Sequence, residues 1–181
     1  MVGTMSWKTT LFTSLDGKVD ASGDWQFPWF DEEYFEVLSQ IWAGADALLI
    51  GGTSFRGYEE LATAFPDSPM VALLSGAPTY VASRSRTASE HYPHVEWLSD
   101  LERVTIDRLT RAHDDIVILG SPSLVIDLLE REILDRLNLA VIPTVVGTGR
   151  GLYDSATRAL TFSRTETRTL TSGVLLVDLH V

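Results

Sequence analysis

At residues 45–61 the chain reads ADALLIGGTSFRGYEEL. A wholly apolar run, 47–50, meets two glycines and two hydroxyl residues, and a stretch of helical character follows over 55–62. A short continuous apolar run bounded by turn residues is the pattern of a strand buried on both faces. Glycine at such a strand end admits close approach of another group, and the N–H groups that open a helix attract anions. Two readings follow: a seat for a phosphate-bearing ligand, or a tight strand-to-helix turn with no ligand.

The same alternation extends on both sides. Strands are expected at 7–14, 79–82, 95–98, 116–119 and 137–146, from their β-branched, aromatic and continuous apolar content. Asp31 reads as an N-cap, with Glu32 and Glu33 in the first helical turn and Tyr34, Leu38, Ile41 and Ala45 at helical spacing before a stop near Gly44. A second helix is expected over 105–112. A third starts with Ser121 as N-cap and Pro122 at the first helical position. FPDSPMVALLSGAP, 65–78, reads as irregular, and Ser172-Gly173 between two alternating runs reads as a terminal hairpin. Strands alternating with helices indicate an α/β sheet covered on both faces.

The bulk properties exclude several functions. The 181 residues suit one domain, taken as 5–181, with Met5 as a natural start and residues 1–4 as a candidate non-native remnant. The absence of cysteine removes disulfides, thiol nucleophiles and thiolate metal sites. A net charge of −11 disfavours nucleic acid and anionic membrane as partners. No apolar run approaches the roughly 18 residues of a membrane span, and the N-terminus lacks a signal pattern, so the expected location is cytoplasmic.

Ligands of open α/β sheets bind beyond the carboxyl ends of the strands. Three such ends stand out: Gly51, Gly52, Thr53 and Ser54; then Ser83 and Arg84, with Ser85 and Arg86; then Gly120, Ser121, Pro122 and Ser123. Two arginines in an acidic chain could supply the charge-assisted bonds a phosphate needs, so a dinucleotide is the expected ligand. GTGRG at 147–151 lacks the dinucleotide-fold spacing and reads as a flexible loop between strands. Pro93 separates His91 from His94, so a solvated loop is expected there rather than a metal site. Asp16, at a strand end, is either a turn aspartate bonding its own backbone or a group that anchors a polar ring or moves a proton. Lys18 could hold an acidic group.

In that order, LFTSLDGKVD, DALLIGGTSF, PTYVASRSR, DIVILGSPSL and LDRLNLAVIPTVVGTGRGLYD resemble the reductase domain at the C-terminus of the bifunctional riboflavin-biosynthesis deaminase–reductase, RibD. The resemblance runs nearly end to end. It implies a dihydrofolate reductase-like fold: a central, mostly parallel sheet, helices on both faces and a C-terminal antiparallel hairpin. It further implies NADPH as hydride donor and a pteridine- or pyrimidine-like small-molecule substrate. Carried over, Gly51, Gly52, Thr53 and Ser54 face the cofactor, Ser83 and Arg84 hold its 2′-phosphate, and Gly120, Ser121, Pro122, Ser123 and Leu124 lie under the pyrophosphate. Ser14, Asp16 and Gly17 line the nicotinamide and substrate pocket, and Trp25 closes over it. A homodimer through sheet edges and the C-terminal strands is also implied.

Two positions depart from the family pattern. Gly52 stands where an arginine is usual, and Ser121 where a second glycine is usual. NADH or a deazaflavin is therefore the alternative donor. No deaminase half with zinc ligands is present in the sequence. The rival functions are a dihydrofolate reductase, whose helical carboxylate would come from Asp31, Glu32 or Glu33, and a non-catalytic dimeric nucleotide-binding protein.

Overall fold

The structure, a computed structural model, describes residues 6–19, 24–64, 66, 67, 69–85 and 88–181, with Pro69 and Met70 described as backbone only. Residues 1–4 and Arg86 therefore lie outside the described residues. The chain packs as two compact units. One holds Gly44–Ser121 with Ser6 and Trp7; the other holds Lys8–Ala43 with Pro122–Val181.

In the first unit, β2 (Ala47–Gly51), β3 (Thr79–Ala82), β4 (Glu96–Leu98) and β5 (Asp115–Ile118) lie parallel in the order β4-β3-β2-β5. Ala47, Leu48, Leu49 and Ile50 are wholly buried, as an unbroken apolar run requires. Helices α2 (Gly52–Ala64), α3 (Pro69–Gly76) and α4 (Arg103–Ala112) complete this unit.

Two expectations change here. The segment 65–78 is not irregular throughout, since it contains α3. A helix made almost wholly of apolar residues has no polar face to betray a 3.6-residue period, and Pro69 at its first position is a start signal. Helix α2 also begins at Gly52 rather than near Phe55, so strand passes into helix with no intervening loop.

Phe55 is fully buried, edge-on to Tyr92 (centroids 5.6 Å apart) and Trp97 (5.5 Å). The Tyr92 hydroxyl has no hydrogen-bond partner among the described residues although the side chain is buried. Burial accordingly raises its pKa. Tyr92→Phe removes an unmet polar group, so it is expected to leave stability unchanged or raise it by up to about 1 kcal/mol in thermal unfolding. A clear loss of stability would mean the hydroxyl is satisfied.

In the second unit, β1 (Ser6–Ser14), which begins in the first unit, runs parallel to β6 (Arg136–Ile142) from Lys8 onward. Strand β8 (Leu175–His180) is antiparallel to both β6 and β7 (Arg164–Thr169). Pro143, which has no N–H to donate, ends β6 short of the expected 146. The hairpin joining β7 and β8 turns at Gly173, whose φ is +95°, as the Ser-Gly signal indicated.

Helix α1 (Glu32–Trp42) is capped by Asp31, whose carboxylate accepts from the Tyr34 N–H at 2.8 Å. It packs Tyr34, Val37 and Leu38 against Ala140, Ile142, Leu170 and Val174. Helix α5 (Pro122–Glu130) buries Val125, Ile126, Leu128 and Leu129. Of the described strand pairings only those of the C-terminal strands β7 and β8 are antiparallel, so the fold is α/β, mostly parallel, with antiparallel C-terminal strands. No helix of the described residues is long and apolar enough to cross a membrane.

Candidate functional site

The strand tips of the first unit converge through glycine–serine contacts. A Cβ at Gly51 would stand 2.8 Å from the Ser121 hydroxyl and 3.0 Å from its backbone nitrogen. One at Gly52 would stand 2.9 Å from the Ser83 Cβ, and one at Gly120 3.0 Å from the Ser54 hydroxyl. Each of the three glycines therefore leaves room for one of the chain's own serines. Gly51 further donates its N–H to the Gly120 carbonyl at 2.7 Å, locking the two tips edge to edge. Gly120 has a φ of +84°, which only glycine adopts freely, and the Gly120–Ser121 peptide is cis.

The donors around this corner form a set suited to an anion. The N–H groups of Gly52, Thr53 and Ser54 open α2 and, as at any helix start, have no partner four residues back. The helix dipole adds partial positive charge there. Ser83 follows β3, its N–H bonded to the Leu98 carbonyl at 2.9 Å and its hydroxyl accepting from the Ser85 N–H at 3.4 Å. Arg84 is exposed and forms no hydrogen bond or ion pair with any described residue. Tyr58, one turn beyond Ser54 on α2, directs its hydroxyl at the Leu119 carbonyl, 3.5 Å away. Burial pushes its pKa up to about 12, so the phenol stays neutral at ordinary pH. Such a donor set, with one guanidinium unpaired among the described residues, fits a phosphate-bearing cofactor.

Gly51, Gly52, Thr53, Ser54, Ser83, Arg84, Gly120 and Ser121 are thus all members of one unit. Pro122, Ser123 and Leu124 open α5, which belongs to the other.

In the second unit, Ser14, Asp16, Gly17 and Lys18 share the turn that ends β1. The Ser14 hydroxyl donates to Asp16 at 2.6 Å and accepts from the Lys18 N–H at 2.8 Å. Gly17, with a φ of +77°, donates its N–H to the Ser14 carbonyl at 3.0 Å. Asp16 also accepts from two consecutive backbone amides, Val146 at 3.0 Å and Gly147 at 2.8 Å. The Ser14 hydroxyl foremost, then these amides, hold its carboxyl far below the usual carboxylate range. A carboxylate so held stays ionised near neutral pH.

Trp25 is half-buried and packs edge-on against Phe12 of β1, centroids 5.9 Å apart, in the cluster that α1 covers. The GTGRG loop is not simply flexible: it is tied to the 14–19 turn through Asp16 and through Val19 N–H to the Arg150 carbonyl at 3.0 Å. Sequence reading missed this tie because the partners lie 130 and 131 residues from Asp16. The first-helix carboxylates are also engaged: Asp31 caps its own helix, and Glu33 accepts from the Thr171 N–H at 2.7 Å and from Arg168 at 3.1 Å.

The C-terminal tail is partly buried. Val174 is fully buried, and β8 lies between β6 and β7, so the C-terminal strand left unpaired on one side among the described residues is the Thr- and Arg-rich β7.

Comparison with known proteins bears on this geometry. The sequence pattern of the RibD C-terminal domain matches residues 8–176. A Shewanella sp. PV-4 protein ascribed to riboflavin biosynthesis superposes with a TM-score of 0.76 at 18% identity, over 97% of this chain and 98% of that one. The riboflavin biosynthesis reductase Rib7 of Saccharomyces cerevisiae gives 0.67 at 15%, over 99% and 91%. Dihydrofolate reductase of Enterococcus faecalis, solved with NADP(H), gives 0.63 at 12%, over 97% and 95%. At these identities the superpositions establish the fold, which is RibD- and dihydrofolate reductase-like.

Proposed function

Because the chain belongs to the RibD C-terminal domain family, we propose that it is a RibD-type reductase that passes a hydride from NADPH to a small heterocyclic or ribosylamino-pyrimidine-type substrate. The observation that carries this reading is the gathering of the first turn of α2, Ser83–Arg84 and Gly120–Ser121 into one donor-rich corner. Bound there, the cofactor would supply the hydride. The chain's own part is binding and orientation: Arg84 and Ser83 for the 2′-phosphate, the amides of Gly52 to Ser54 for negative charge, and the Ser14–Lys18 turn with Trp25 for the substrate.

Gly52 favours one variation. With no arginine at that position, NADH or a deazaflavin is the competing donor, and Arg84 decides between the nicotinamides. The folate reading is disfavoured by the engagement of Asp31 and Glu33, which leaves Glu32 as its remaining first-helix carboxylate. We retain the homodimer as part of the proposal.

Quenching of the five tryptophans on titration with NADPH and NADH measures cofactor binding. Loss of NADPH absorbance with a ribosylamino-pyrimidine phosphate or with dihydrofolate measures turnover. Cofactor binding with turnover of the pyrimidine supports the reading. Binding without turnover of either would favour a nucleotide-binding protein that has lost the chemistry, and no binding of any nicotinamide or deazaflavin would end it.

Arg84→Ala sharpens the test. A charged hydrogen bond is worth about 1.5–3 kcal/mol, so NADPH should bind roughly tenfold to a hundredfold more weakly while NADH changes little. Equal losses for both would refute the role given to Arg84.

A further inference from the structure

We infer that Asp16 is a positioning residue: its carboxylate, gripped by the Ser14 hydroxyl and two consecutive amides, sets the conformation of the 144–151 loop against the turn that ends β1. Among the described residues, backbone-to-backbone bonds secure that loop only at its two ends. The Leu15 N–H reaches the Thr144 carbonyl at 2.9 Å, the Val19 N–H the Arg150 carbonyl at 3.0 Å, and the Leu152 N–H the Gly17 carbonyl at 2.8 Å. Between these ends the loop holds Gly147 and Gly149, both at positive φ, and glycine has the most conformational freedom to lose. Val146 and Gly147 donate their amides to Asp16. A carboxylate bound by three donors is a fixed anchor, strong because each bond is charge-assisted. The other charged side chains of the two segments are Lys18 on the turn and Arg150 and Asp154 on the loop side; Asp154 pins the Gly151 N–H at 2.7 Å.

The loop arm of the test is independent of the proposed reductase activity, and only the kinetic arm rests on that reading. Amide exchange by NMR on the full chain should show Val146 and Gly147 exchanging about tenfold faster in Asp16→Asn, the low end of the scale of one charged hydrogen bond, and faster still in Asp16→Ala. Trypsin should cleave after Arg150 more readily, while the amides of β6 keep their protection. Should Asp16→Ala fail to fold, the near-isosteric Asp16→Asn carries the test. In the kinetic arm, with NADPH and a ribosylamino-pyrimidine phosphate, Asp16→Asn should raise KM and leave the shape of the rate–pH profile unchanged. Unchanged exchange at Val146 and Gly147 would overturn the inference. So would a lost limb of the pH profile in a variant whose loop stays protected, since Asp16 would then be passing a proton. A wild-type chain that turns over no substrate would count against the proposed function, while the exchange result still decides the role of Asp16.

Discussion

Phe55→Ala is expected to cost about 3–5 kcal/mol, the range for deleting a buried aromatic side chain. Phe55 is wholly buried and meets Tyr92 and Trp97 edge-on, and each such aromatic pair adds about 0.5–1.5 kcal/mol beyond area burial. A small domain is stable by only about 5–15 kcal/mol, so the loss is a large share of the whole. Urea unfolding with the linear extrapolation measures it, and Phe55→Leu, which keeps most of the volume, should cost clearly less. The consequence reaches function because Phe55 lies three residues beyond Gly52, where α2 begins. The ring holds the first turn of that helix against Tyr92 and against Trp97 of β4, so cofactor affinity should fall together with stability. A cost below about 1 kcal/mol would show that α2 is anchored by something else.

Gly52→Ala should destabilise by about 1–3 kcal/mol through overpacking. The added methyl would stand 2.9 Å from the Ser83 Cβ and 3.4 Å from the Ala82 carbonyl oxygen. A Cβ cannot rotate away, so backbone must move. Ser83→Gly removes the obstacle, and the double variant should recover most of the loss, giving an interaction energy of about 0.5–3 kcal/mol. Gly57→Ala supplies the control. It lies in the same helix with nothing within 4 Å of the new methyl, and it should stabilise by up to about 1 kcal/mol. If Gly52→Ala and Gly57→Ala behave alike, the Gly52–Ser83 contact is not tight in solution.

Much of this architecture is legible in sequence because the signals are local. The buried strand at 47–50, the Asp31 cap and the Ser-Gly hairpin each rest on a few adjacent residues, and each is where the pattern places it. Helix α3 escaped because amphipathic periodicity fails when both faces of a helix are apolar. The candidate site was legible in composition but not in cause. That glycines and serines would cluster at strand ends could be read; that each glycine makes room for a particular serine could not, because Gly52 and Ser83 are brought together only by the pairing of β2 with β3. Asp16 shows the same limit: its residue type suggests acid–base work, and two of the three donors that hold it lie more than a hundred positions away.

The fit of Gly52 against Ser83 makes the two positions mutually exclusive places for bulk. On this backbone a side chain at 52 would meet the Ser83 Cβ at 2.9 Å and its hydroxyl at 3.0 Å, so bulk at the first position needs the second, or the backbone beneath it, to give way. An arginine engineered at 52 therefore calls for a companion change at 83.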